Sequence, residues 1–136
     1  MTTAIPLTLH LLVLIGLYEL TAGIAGLTGR IDWRAMIDEF ASGQALSFVT
    51  GFVVFAIGGV MIMSHHHWTD PLAIIVSLIG WIALAEGIVM MLASRPLLIF
   101  FRPVVGSQRA ISLLAPLFGI VLIALGLTGH ADPTAL

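Results

Sequence analysis

Leu14-Ile15-Gly16-Leu17-Tyr18-Glu19-Leu20-Thr21-Ala22-Gly23 and Leu78-Ile79-Gly80-Trp81-Ile82-Ala83-Leu84-Ala85-Glu86-Gly87 are the two stretches that decide how this chain folds. An offset of about 64 residues lays Gly16 on Gly80 and Gly23 on Gly87, and a slightly longer one lays Gly51 on Gly119 and Gly58 on Gly126. Four apolar spans thus each carry two glycines seven residues apart. Glycines at that spacing form one small-residue stripe along a helix, where another helix can approach closely. The pattern reads as a duplicated pair of membrane helices.

Composition agrees. The 136 residues are 60% hydrophobic and 9% charged, against about a quarter charged in a soluble domain. Runs at Ile5–Leu27, Ala45–Met63, Pro71–Leu92 and Ala110–Leu127 come close to the roughly 20 residues a helix needs to cross a bilayer. A backbone in hydrocarbon must satisfy its own hydrogen bonds, and no strand-like alternation is visible, so the expected fold is all-α. The expectation is one polytopic membrane domain over 1–136: four transmembrane helices as two repeated hairpins, at about 5–63 and 71–127. The first span has no Lys or Arg before it and reads as a retained helix rather than a signal. With no cysteine, neither disulfides nor thiolate chemistry are available.

All five basic residues are arginines in two of the connections, Arg30 and Arg34 in the first, Arg95, Arg102 and Arg109 in the third. The positive-inside rule places these connections in the cytoplasm and both termini outside. The histidines divide the opposite way, with His10, His65–His67 and His130 on the outer side. Trp33, Met36, Ile37 and Phe40 recur at helical spacing and predict a short amphipathic helix in the headgroup layer. Leu97, Phe100, Phe101 and Val104 repeat that stripe, with Pro103 and Gly106 expected to end it. Five arginines against three acids on this side favour anionic lipid over nucleic acid. Asp70 before Pro71 is a cap-then-proline helix start.

Glu19 and Glu86 each fall about 15 residues into a span, a little past the bilayer midplane. A charged carboxylate there costs at least about 2.5 kcal/mol, which a function or a partner normally offsets. As a functional pair they would form a proton or cation site. As structural groups they would stay neutral and bond a backbone carbonyl or a hydroxyl such as Ser47, Thr50 or Ser77. A second candidate is the run Met61-Ile62-Met63-Ser64-His65-His66-His67 with Asp70. Imidazole and thioether suit copper, and imidazole suits zinc, so Met61, His65, His67 and Asp70 are the candidate ligands of an outer-loop site. The spacing matches no closed zinc motif. No cofactor is otherwise implied. Pro116 is expected to loosen the fourth span, with Ser112 meeting the carbonyl it frees. No nucleophile–base constellation or phosphate loop can be assembled, so an enzyme is not expected.

Trp81-Ile82-Ala83-Leu84-Ala85-Glu86-Gly87, then Pro96, Gly119 and Gly126, resembles the small YjeT-like bacterial membrane proteins, two-helix chains with a Glu-Gly pair in the first helix. The resemblance covers 78–127 best. The first half departs from it, with Ala22 where the Glu would be and Asp32 where Pro96 falls. It implies a tandem fusion of such a hairpin and no particular activity.

Three functions follow as expectations. The first is a non-enzymatic accessory or assembly subunit of a bacterial inner membrane, packing through its glycine faces against other membrane subunits or a second copy. The second is a small proton- or cation-coupled transporter using Glu19 and Glu86. The third is an outward-facing copper or zinc handling protein. In the first, Gly16, Gly23, Gly80 and Gly87 would lie at the centre, leaving Gly51, Gly58, Gly119 and Gly126 outward.

Overall fold

The computed structural model describes residues 2–105 and 107–131. In chain order the elements are β1 (Thr2–Thr3), α1 (Pro6–Leu27), α2 (Trp33–Ser42), α3 (Gln44–Ser64), α4 (Pro71–Val105), α5 (Gln108–Thr128) and β2 (His130–Ala131). Four of the five helices are long and apolar enough to cross a membrane, and α2 is the short amphipathic one. The chain is an all-α, multi-pass membrane protein.

The helix ends follow local chemistry. Pro6 opens α1, where a missing N–H costs nothing. The helix closes through Gly29, whose φ of +69° is left-handed. Arg30 N–H then donates to Ala25 O (2.9 Å) and Gly29 N–H to Gly26 O (3.2 Å), a Schellman ending. Asp32 caps α2 by accepting from Arg34 N–H and Ala35 N–H, and Asp70 accepts from Ala73 N–H at 2.9 Å at the start of α4. The α4 helix does not stop at Leu92. It bends at Ala93 (φ −150°, ψ 55°), three residues before Pro96, and runs on through Pro103 to Val105. Pro96 can neither donate to Leu92 O nor avoid crowding it, so the ladder breaks there. Pro103 does not end the helix, and Gly106 lies outside the described residues.

The helices pair differently from the two expected hairpins. The dominant contacts are α1 with α5 and α3 with α4, while α4 barely touches α5. In the frame of the repeat, the first helix of each half packs on the second helix of the other. The connections explain the difference: α1 and α3 are separated by α2, and the long α4 carries the chain past its kink before α5 begins. The α3 and α4 helices, which do pack on each other, are joined directly by the His65–Asp70 connection.

Glycine sits at each crossing. A Cβ on Gly16 would lie 2.7 Å from Gly119 O, and one on Gly119 2.6 Å from Gly16 O. On the other pair a Cβ on Gly87 would lie 2.7 Å from Gly51 O. Strict equivalence would set Gly51 against Gly80, so the second pair has slid by the seven residues from Gly80 to Gly87, about 10 Å. The slide keeps glycine against glycine because the stripe repeats at that interval. Gly23 meets Pro116, Gly58 meets Leu84, Gly80 meets Met61, and Gly126 meets Leu9 and Val13. All eight are buried. Gly51, Gly58, Gly119 and Gly126 therefore face neighbouring helices of the same chain, which corrects the expectation that they lie outward.

The two pairs join mainly at the end that holds both strands and the His65–Asp70 turn, called here the terminal end. Leu12, Met61, Leu72, Val76 and Leu122 form the buried core there, flanked by Ile15 and Ile79. The parallel strands, Thr2 opposite His130 and Thr3 opposite Ala131, tie the chain ends over it. At the other end α2 bridges the pairs. Gln108 Oε1 accepts from Trp33 N–H (2.9 Å), and Gln108 Nε2–H donates to Ile31 O (2.8 Å) and Gly26 O (3.3 Å). Farther along α2, Ser47 donates to Phe40 O and Asp38 pairs with Arg102 at 3.1 Å.

Candidate functional site

Between the core and the α2 bridge the two helix pairs separate. On α1 the core-facing line Leu12–Ile15 continues one turn deeper into Tyr18 and Glu19, and on α4 the line Leu72–Val76–Ile79 continues into Ile82 and Glu86. Burial stops along these lines: Tyr18 is 70% exposed and Ile82 62%. Glu86 is exposed and Glu19 half-buried. The result is an exposed stretch of α1 and α4 that carries both acids and is bounded at the terminal end by the core. Glu19 stands 13 residues into α1 and Glu86 15 into α4, about 20–22 Å along each helix, past the middle of a hydrocarbon layer about 30 Å thick.

Gly119 leaves room for Glu19: a Cβ there would lie 3.2 Å from Glu19 Cβ. Tyr18 and Glu19 on α1 and Glu86 on α4 thus bring one phenol and two carboxyl groups to similar depth on two different helix pairs. Neither carboxyl has a hydrogen bond or salt bridge among the described residues. Two of the hydroxyls suggested as their partners are engaged elsewhere, Ser47 with Phe40 O and Ser77 with the His65–His67 turn.

The histidine turn is organised as a latch. His65 is 1% exposed. Its Nε2 lies 2.6 Å from Thr8 Oγ1 on α1, and its Nδ1 3.2 Å from Ser77 Oγ on α4. Ser77 donates its own proton to His67 O at 2.8 Å, so its oxygen accepts from His65 Nδ1–H, and Nε2 accepts from Thr8. Thr3 continues the chain, 3.5 Å from Thr8 Oγ1 and donating to Asp70 Oδ2 at 2.9 Å. Burial, reinforced by neighbouring His67, holds the His65 imidazole below its usual pKa and therefore neutral.

The four residues read as candidate metal ligands are given separate tasks. Both nitrogens of His65 face hydroxyls, Met61 packs in the apolar core, Asp70 caps α4 and binds Thr3, and the His67 ring stands edge-on to His65 at 5.4 Å. Among the described residues no three of His, Asp and Glu gather as a metal would require. Ser112, expected to bond the carbonyl freed by Pro116, is buried with no partner for its hydroxyl among the described residues, as is Trp33 Nε1. Both atoms border Gly26.

Sequence reading missed Thr3, Thr8 and Gln108, and assigned Ser77 to the acids rather than to the histidine turn. Thr8 and Ser77 carried a usable signal, since a hydroxyl in an apolar span is satisfied by its own helix or by a neighbour. The partner itself depends on how the pairs cross. No family model, curated protein or solved structure matches this chain, so the functional reading rests on the fold and its side chains.

Proposed function

We propose that this protein is a non-enzymatic membrane subunit that works inside a larger assembly and docks through the Tyr18–Glu19–Glu86 cleft. One observation carries the reading: Glu86 is exposed at mid-membrane depth without a hydrogen bond or salt bridge among the described residues. An uncovered carboxyl there is costly, and a partner helix bearing a basic or amide group at the same depth offsets that cost. The glycine stripes are not the docking surface, because the chain uses all eight glycines in its own pairs. The arginine bias favours an orientation with α2 in the cytoplasm and both termini outside, and the YjeT-like resemblance favours a bacterial inner membrane. The crossed pairing also suits an origin as two fused YjeT-like hairpins, since two copies of a two-helix chain can exchange helices in this way.

A photo-crosslinker at Ile82, on the acid face, tests this in native membranes, with Phe52 on α3 as control. Ile82 should give one discrete protein adduct that Glu86→Leu removes, while Phe52 gives lipid adducts only. Lipid adducts alone from both positions would contradict the proposal.

A second reading, a proton- or cation-coupled carrier, is favoured by two acids at similar depth on α1 and α4, one of them next to the Tyr18 phenol. In that case a lipophilic cation such as tetraphenylphosphonium should release protons from the purified protein, and Glu19→Gln or Glu86→Gln should abolish the release without unfolding it. Proton release unchanged by both variants would remove this reading.

A further inference from the structure

Two cavities meet where α4 bends. One, of about 540 Å³, is lined by Asp38, Ala41, Ser42, Gln44, Ser94 and Arg95. The other, of about 470 Å³, shares Gln44 and Ser94 with it and continues as an apolar groove between Phe48 and Val49 of α3 and Met90, Met91 and Leu92 of α4. An open polar pocket thus runs into a mainly apolar groove.

The depth of this junction identifies its occupant. Arg95 lies 24 residues beyond Pro71 and just past the bend at Ala93. That is at most about 36 Å from the start of the helix, which is somewhat more than a hydrocarbon core of about 30 Å and fits the headgroup layer. The groove runs from there back toward the bilayer centre. Asp38 is already paired with Arg102 at 3.1 Å, whereas Arg95 has no ion pair among the described residues. The pocket therefore offers one uncommitted guanidinium, with the Gln44 amide and the Ser94 hydroxyl beside it. A guanidinium matches a phosphodiester in charge and in its fork of N–H donors.

We infer that this junction is a binding site for one anionic glycerophospholipid. Its phosphate lies against Arg95, Gln44 and Ser94, and an acyl chain lies along Phe48, Met90 and Met91. A zwitterionic lipid fits the groove equally but brings a cationic group that Arg95 repels.

Native mass spectrometry of the full chain, titrated with phosphatidylglycerol or phosphatidylcholine of the same acyl chains, tests the assignment. One phosphatidylglycerol should bind at least about fivefold more tightly than phosphatidylcholine, the scale of a single basic side chain at an anionic surface. Arg95→Gln should abolish that preference, Arg95→Lys should keep most of it, and Arg109→Gln, outside the pocket, should leave it intact. Val49→Trp, at an exposed position of the groove wall, should weaken both lipids alike. Equal binding of the two lipids by the wild type would overturn the assignment, and so would equal losses in Arg95→Gln and Arg109→Gln. Should Arg95→Gln fold poorly, the wild-type preference and the Arg109→Gln control decide.

Discussion

Gly59 and Gly87 are both helical glycines in the α3–α4 pair, and an added methyl has opposite consequences at each. At Gly59 the nearest atom to a new Cβ is Leu84 Cδ1 at 3.9 Å, while at Gly87 it meets the backbone of Phe55 and Gly51. Gly87→Ala should destabilise the protein by about 1–3 kcal/mol, the cost of overpacking against a backbone that cannot yield. Gly59→Ala should be neutral or stabilising by about 0.5–1 kcal/mol through better helix propensity. Thermal unfolding in one detergent compares the two, and equal losses would contradict the packing described. His65 gives a pH prediction. Its folded pKa is lowered by burial, so the unfolded chain binds the proton more readily. The latch contributes its full stability above the ordinary imidazole pKa of about 6.5 and loses it as pH falls through the folded value. Melting followed from pH 8 to pH 5 should decline in the wild type and flatten in His65→Gln. The glycine stripes could be read from spacing alone. Their partners could not, because a seven-residue repeat fits two registers equally, and the α3–α4 pair uses the second.

At the scale of elements, the spans and the amphipathic character of α2 were legible, because composition and helical period determine them. The length of α4 was not. Pro96 signals a break, yet the chain resumes helix at once and carries Arg95 and Arg102 on the same element. The role of α2 as a bridge was also hidden, since it depends on Gln108, 75 residues from Trp33 in sequence. Gln108→Leu removes one acceptor and two donations and leaves Trp33 N–H and Ile31 O without that partner. It should cost about 1–3 kcal/mol and raise hydrogen exchange at Ile31–Trp33 while the core around Leu12 and Leu72 stays protected. Unchanged exchange at Ile31–Trp33 would mean that α2 is held by its Ile37 face alone.

For the whole molecule, the central claim is the crossed pairing: α1 lies on α5, α3 lies on α4, and the proposed acid cleft lies between the two pairs. Two compact hairpins, the simplest arrangement of the repeat, would place α1 on α3 and dissolve that cleft. Hydrophobic pattern cannot separate these arrangements, as every span is apolar all round and carries the same stripe. Cysteine crosslinking can, because the chain has no cysteine of its own. Leu20 and Ile123 flank the Gly16–Gly119 crossing, and Phe55 and Met91 flank the Gly51–Gly87 crossing. In native membranes a bifunctional thiol reagent that spans about two helical turns, about 11 Å, should link Leu20→Cys to Ile123→Cys and Phe55→Cys to Met91→Cys within one chain, and should leave Leu20→Cys with Phe55→Cys unlinked. An intramolecular Leu20–Phe55 link, with none between Leu20 and Ile123, would contradict the crossed pairing and the cleft built on it.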